Sequence, residues 1–85
     1  MNLYYKPQVI KQLKKLPLAE KKKVVRKLEL LVKNPYSGKQ LKGELEGLRS
    51  LQVWPYRIIY EVQKESVVIY SVAHRQSVYT SQTQV

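Results

Sequence analysis

The spacing of hydrophobic residues changes once, about half-way along the chain. In the first half, apolar residues recur every three to four positions, which is the period of an amphipathic helix. The residues in this pattern are Val9, Ile10, Leu13 and Leu16, and then Val24, Val25, Leu28, Leu31 and Val32. Pro17 separates the two groups and Asn34-Pro35 ends the second, so the pattern predicts two consecutive helices that form an antiparallel hairpin.

The second half alternates apolar and polar residues with the period of a β-strand. Two such segments cover residues 48–54 and 56–62, with a turn at Pro55. After a turn at residues 63–66, the apolar run at 67–73 is rich in β-branched residues and predicts a further strand. A short strand at residues 3–5 precedes Pro7, which suits the first turn of a helix. The predicted order is therefore β-α-α-β-β-β.

This order predicts an α+β fold in which a two-helix hairpin packs on a four-stranded, mainly antiparallel sheet. The 85 residues are enough for one hydrophobic core, so residues 1–85 are expected to form a single domain. Residues 80–85 are polar and terminal, and we expect them to be a flexible tail.

Composition excludes several kinds of chemistry. The chain has no cysteine, no aspartate and one histidine. A zinc site, a thiol nucleophile and a two-metal carboxylate site therefore lack their usual ligands, and no metal or cofactor is expected. No apolar run approaches the roughly 20 residues needed to cross a bilayer, and no signal segment is visible at the N-terminus, so we expect a cytoplasmic protein without membrane contact.

Positive charge is concentrated in the first half of the chain. The net charge is +10, and all of this excess lies in residues 1–42. Lys22, Lys23 and Arg26 fall on the polar side of the second predicted helix and are candidates for binding phosphates. Such a surface attracts nucleic acid or an acidic protein, although a lysine-rich helix face is also ordinary solubility chemistry.

A second group of candidates lies near the ends of the last two strands. Pairing residues 56–62 and 67–73 about the turn at 63–66 places Arg57 opposite Val72 and near His74. Arg75 and Tyr79 follow within five residues. Arginines stabilise charge that develops on a phosphate, while a histidine or tyrosine transfers protons, so this group is suited to cleaving RNA without a metal. The alternatives are a histidine at a strand end in water and a tyrosine that packs on the sheet.

Three segments of the chain together resemble the RelE/ParE superfamily of bacterial and archaeal toxins. These segments are PYRIIYEV at 55–62, VAHRQSVY at 72–79 and QLKGELEGLRSL at 40–51. The resemblance covers residues 3–79 and implies a toxin of a type II toxin–antitoxin system, with two helices on a mainly antiparallel sheet. For the RelE branch it further implies cleavage of messenger RNA in the ribosomal A site by attack of a 2′-hydroxyl on its own phosphodiester.

The resemblance also implies roles for individual residues. Arg57 matches the arginine that bears on the scissile phosphate, and Arg75 matches the arginine that stabilises the transition state. Tyr79 matches a tyrosine used for proton transfer or base stacking, and His74 matches a histidine suited to general acid or base catalysis. Lys42 matches a basic residue before a glycine. Further basic candidates for binding RNA are Lys39 and Arg49.

The chain departs from the pattern of the most active ribonucleases at two positions. Where those proteins carry basic residues on the second predicted strand, residues 48–54, this chain has Ser50 and Gln52. Three functions therefore remain open at this point: a ribosome-dependent messenger RNA endoribonuclease, a ParE-type toxin that inhibits gyrase without cleaving RNA, and an RNA-binding domain without catalysis. The expected partners are a cognate antitoxin of acidic or amphipathic character, the ribosome and its message.

Overall fold

The computed structural model describes residues 1–74 of the chain. Within that range it contains the helices α1 (Pro7–Lys14) and α2 (Leu18–Lys33) and the strands β1 (Asn2–Tyr5), β2 (Lys39–Gln40), β3 (Arg49–Val53), β4 (Tyr56–Val62) and β5 (Ser66–His74). Short 3-10 turns occupy Pro35–Ser37 and Gly43–Leu45. Arg75, Tyr79 and the predicted tail at 80–85 lie outside the described residues.

The strands form one mixed sheet in the order β1-β5-β4-β3-β2. β1 runs parallel to β5, and the other neighbours are antiparallel. The predicted α+β fold with a helical hairpin on a mainly antiparallel sheet is confirmed. The prediction of four strands missed β2, because two residues are too few to show a period and this strand forms only by pairing with Arg49 and Ser50 of β3.

Both helices pack on one face of the sheet, which we call the helix face; the opposite one is the outer face. The side chains that are almost completely buried between the layers are Val9, Val24, Leu28, Leu31, Ile58, Tyr60, Val67, Ile69 and Val72. In β4 the buried Ile58 and Tyr60 alternate with Arg57 and Glu61 on the outer face, as the period of two predicts. Neither helix of residues 1–74 is long and apolar enough to span a bilayer.

The β4–β5 hairpin contains a register shift that the sequence analysis did not predict. Near the turn Val62 pairs with Val67, as predicted, but beyond Ile59 the pairing moves by one residue. Arg57 consequently lies opposite Ala73 and not opposite Val72. The reason is a β-bulge at Tyr70, which adds one residue to β5 and keeps Val72 on the buried face.

Candidate functional site

A cleft of about 770 Å³ opens on the outer face of the sheet beside β2, β3 and β4. Its lining includes the cationic side chains of Lys39, Lys42 and Arg57 and the neutral polar side chains of Ser50 and Gln52. Among the described residues that line it, none is acidic. The cleft is within the size range of small-ligand sites, and its charge suits a phosphate group.

Strand pairing determines where the side chains that line this cleft lie. Lys39 is the direct partner of Ser50, and Gln52 is the direct partner of Arg57, so all four side chains point to the outer face. Arg57 is only partly exposed, and its Nε atom is buried. A guanidinium held this way is partly desolvated, which strengthens its attraction for an anion.

A hydrogen-bonded turn at Gly38 leads the chain into β2 and so sets the position of Lys39. The buried hydroxyl of Tyr60 accepts a hydrogen bond from the Gly38 N–H (2.9 Å) and donates one to the Pro35 carbonyl (2.8 Å). Burial raises the pKa of Tyr60, while the hydrogen bond from Gly38 and the charge of Arg49 act in the opposite direction. The sequence does not reveal Tyr60 as an anchor of this turn, since a tyrosine in a predicted strand gives no sign of its hydrogen-bond partners.

Arg49 is not part of the outer-face cleft. It lies on the helix face of β3, donates a hydrogen bond from Nη1 to the Gly38 carbonyl (2.8 Å) and stacks over the Tyr36 ring at 4.9 Å. It also lines a separate pocket of about 410 Å³ with Lys42 and Glu46. Its place on the strand therefore separates it from Arg57, and its contacts support the Gly38 turn.

His74 lies at the end of β5, opposite Tyr56, on the helix face. The two rings meet edge to face with centroids 5.8 Å apart, and His74 is exposed. Arg57 and His74 thus share one end of the sheet but point to opposite faces. The candidates Arg75 and Tyr79 lie outside the described residues, so the structure brings together Arg57, Lys39 and Lys42 only.

The basic candidates on α2 form a separate surface. Lys22, Lys23 and Arg26 are all exposed. Lys23 forms an i,i+3 ion pair with Glu20 (3.3 Å) and donates a hydrogen bond to the Trp54 carbonyl (3.3 Å) at the β3–β4 turn. This surface lies on the helix side of the sheet, away from the outer-face cleft.

Two glutamines of α1 have structural roles that the sequence analysis missed. The Gln12 side chain accepts a hydrogen bond from the Val72 N–H (2.8 Å), and its amide lies 3.4 Å from the Ser71 hydroxyl. Gln8 donates to the Tyr70 carbonyl. Both therefore support the bulge that sets the register at the Arg57 end of β4, and glutamines on an amphipathic helix carry no sequence signal for such a role.

Comparison with known families settles the kind of protein. The family model described as ParE toxin of type II toxin–antitoxin system, parDE, matches residues 3–79. The chain belongs to this family. It is therefore a toxin of the type II class, as the resemblance implied, and the match spans both helices and every residue of the described sheet except Asn2. No curated protein matches the chain at a significant level.

Solved structures of related toxins share this fold. The toxin–antitoxin complex RelBE2 from Mycobacterium tuberculosis contains a chain that is 32% identical, with a TM-score of 0.80; the match covers 87% of this toxin and 96% of that chain. The isolated RelE toxin of E. coli is 22% identical, with a TM-score of 0.74 and coverage of 98% and 95%. A chain of the RelB–RelE complex from Methanococcus jannaschii is 24% identical, with a TM-score of 0.75; the match covers 92% of this toxin and 96% of that chain.

Proposed function

We propose that this toxin is a metal-independent, ribosome-dependent endoribonuclease that cleaves messenger RNA and so inhibits translation. The observation that carries the proposal is the outer-face cleft, in which Lys39, Lys42 and Arg57 surround a space suited to a phosphodiester. The similarity to the M. tuberculosis RelBE2 chain and the motifs at 55–62 and 72–79 support the same branch of the superfamily.

In the proposed reaction the 2′-hydroxyl of a message nucleotide attacks its own 3′-phosphorus, and the bond to the 5′-oxygen of the next nucleotide breaks. The 2′-hydroxyl loses a proton to a base and the leaving oxygen gains one from an acid, which gives a 2′,3′-cyclic phosphate and a 5′-hydroxyl. Arg57 and Arg75 stabilise the charge on the phosphorane-like transition state. His74 and Tyr79 are the proposed proton-transfer groups, with base stacking as a further role for Tyr79.

The basic surface of α2 is proposed to dock on ribosomal RNA. Lys22, Lys23 and Arg26 are exposed on one helix, and neutralising phosphates with such cations supplies sequence-independent affinity. Docking through the helix side would leave the outer face of the sheet directed at the message.

An antitoxin is the second proposed partner. The solved complexes from M. tuberculosis and M. jannaschii pair a related toxin with its antitoxin. With a net charge of +10, this toxin would favour an acidic or amphipathic antitoxin segment.

The test is cleavage on ribosomes programmed with a message that has a defined codon in the A site. Primer extension should reveal new 5′ ends within that codon, and a message with 2′-deoxynucleotides there should stay intact, because it lacks the attacking hydroxyl. An intact normal message, or cleavage of the deoxy-substituted one, would contradict the proposed reaction.

The neutral residues of the cleft favour one alternative. Ser50 and Gln52 contribute no charge at the positions where the most active ribonucleases are basic, which is compatible with a ParE-type toxin that inhibits gyrase. Purified gyrase would then lose supercoiling activity in the presence of the toxin. If both gyrase and the message are unaffected, RNA binding without catalysis is the remaining activity.

A further inference from the structure

The turn between β3 and β4 exposes a tryptophan that neither the core nor the proposed cleavage reaction uses. Trp54 and Pro55 form a two-residue turn between the paired residues Val53 and Tyr56. The Trp54 side chain is 58% exposed, and it is the only tryptophan of the chain. An indole of this size in contact with water is a candidate for a binding contact, because tryptophan is among the residues that contribute most to binding energy.

Cationic side chains lie near this turn on two sides. From the helix side, Lys23 reaches the turn and donates a hydrogen bond to the Trp54 carbonyl (3.3 Å). Arg26 and Lys27 follow Lys23 one helical turn later and are exposed. On the outer face, Arg57 pairs with Gln52 in the second residue pair from the turn. Its Cα therefore lies about 7 Å from the turn, measured along β4. Trp54 therefore lies where the basic surface of α2 meets the outer-face cleft.

We propose that this turn is a stacking platform for an unpaired base of single-stranded RNA, with the neighbouring phosphates bound by Lys23 and Arg26. An exposed aromatic ring near cations suits single-stranded nucleic acid, since the ring stacks on a base while the cations track the backbone. Emission and affinity measured with RNA and with the antitoxin separate stacking on a base from binding of an acidic antitoxin segment at this turn. The proposal concerns binding and does not depend on cleavage.

The tryptophan itself reports on this contact. Titrating the full-length toxin with a 2′-O-methyl oligouridylate, which cannot be cleaved by 2′-hydroxyl attack, should quench the emission of Trp54. Quenching should weaken as salt is added, because the flanking cations contribute to affinity. An RNA duplex of equal length should quench little, because its bases are already stacked.

Substitutions measure how much the ring contributes. Binding of a labelled strand, followed by fluorescence anisotropy, should weaken about 5- to 100-fold in Trp54→Ala and much less in Trp54→Phe, which retains an aromatic face. Tyr4→Ala is the matched control, since Tyr4 is 55% exposed on β1, an edge strand that pairs with neither β3 nor β4. The affinity of Tyr4→Ala for the labelled RNA should equal that of the wild type.

Several results would overturn the proposal. If the emission of Trp54 does not change at saturating single-stranded RNA, stacking is excluded, and this result does not require Trp54→Ala to fold. Stacking is also excluded if folded Trp54→Ala binds the RNA with an affinity within twofold of wild type. Equal quenching by duplex and single strand would show a purely electrostatic contact. A change of emission with antitoxin but not with RNA would assign the turn to protein binding. Because the strand is uncleavable, these results are independent of whether the toxin is a ribonuclease.

Discussion

Tyr60 determines how the chain enters β2 and therefore where Lys39 lies in the cleft. Its ring is fully buried, and its hydroxyl satisfies both the Gly38 N–H and the Pro35 carbonyl. The close approach requires a glycine, because a Cβ at residue 38 would collide with the Tyr60 hydroxyl. A single phenol group thus links the core to one wall of the candidate site.

We predict that Tyr60→Phe lowers the free energy of unfolding by about 1–3 kcal/mol, because it leaves two polar backbone groups of the Gly38 turn without their partner. Urea denaturation measures this directly. Tyr4→Phe removes the same group from a largely exposed ring and should change stability by less than about 0.5 kcal/mol. Equal effects of the two substitutions would contradict the role given to Tyr60.

Stability should also depend on alkaline pH through the same residue. Burial raises the pKa of Tyr60 in the folded state, whereas in the unfolded chain it titrates near the usual value of about 10. The resulting stabilisation is complete below about pH 10 and is lost as the pH rises through the folded-state pKa. The stability advantage of the wild type over Tyr60→Phe should therefore shrink above about pH 10, and an advantage that grows there would contradict this assignment.

His74 is the candidate whose position most restricts its proposed role. It points to the helix face and reaches a phosphate at Arg57 only around the end of the sheet. We predict that His74→Ala slows message cleavage about 10²-fold, the lower end of the range for a positioned proton-transfer group. Single-turnover cleavage on programmed ribosomes measures the loss, and a rate within threefold of wild type would remove His74 from the mechanism.

At the scale of secondary-structure elements, the bulge in β5 decides which residues face the cleft. Without it, Arg57 would pair with Val72, and the buried Val72 would turn to the outer face. Helix α1 stabilises the bulge because Gln12 accepts the hydrogen bond of the Val72 N–H. A polar side chain of α1 thus sets the register at the site end of β4 and β5.

Replacing Gln12 by leucine should destabilise the toxin by about 1–3 kcal/mol, because the Val72 N–H then lacks its acceptor. Amide hydrogen exchange at Val72 should become faster in this variant than in the wild type. Gln12→Glu retains a side-chain oxygen acceptor and is the matched control. Equal exchange at Val72 in wild type and Gln12→Leu would show that the bulge does not need this contact.

The elements with a strong period could be predicted from the sequence. Helix α2 and strand β4 have the predicted bounds, and the alternation in β4 correctly separated Ile58 and Tyr60 from Arg57. Helix α1 ends at Lys14, although the apolar spacing continues to Leu16. These predictions succeeded because burial of one face imposes the period on the residues themselves.

The features that the sequence did not predict depend on contacts between distant segments of the chain. Strand β2 exists only through pairing with β3, and the bulge depends on glutamines about 60 positions away in the chain. Arg49 shows the same dependence at the candidate site, since its charge and spacing do not reveal that the fold directs its guanidinium to the Gly38 carbonyl. Charge and spacing identify which residues are available but not the face on which a tertiary contact places them.

At the scale of the whole molecule, positive charge occupies both faces. The helical layer carries Lys22, Lys23 and Arg26, and the outer face carries Lys39 and Arg57. The Trp54 turn lies between the two. In the proposed function, the helical layer docks on ribosomal RNA and the outer face binds the message.

Binding to ribosomes should therefore weaken steeply with added salt, as measured by co-sedimentation. Replacing Lys22, Lys23 and Arg26 by glutamine should reduce the slope of log affinity against log salt by roughly one for each phosphate that is no longer neutralised. Lys64 lies in the turn between β4 and β5, at the end of this hairpin away from Arg57. Lys64→Gln removes one charge there and should leave the slope unchanged. An unchanged slope in the α2 variant would contradict docking through this helix.

The proposed site is tested most directly by the single-turnover rate of message cleavage by Arg57→Gln and Lys64→Gln on programmed ribosomes. The two substitutions remove the same charge, one inside the outer-face cleft and one at the far end of the same hairpin. If the cleft holds the scissile phosphate, Arg57→Gln should be slower by about 10²–10³-fold, while Lys64→Gln should cleave at the wild-type rate. Equal rates for the two variants would contradict this account of the site.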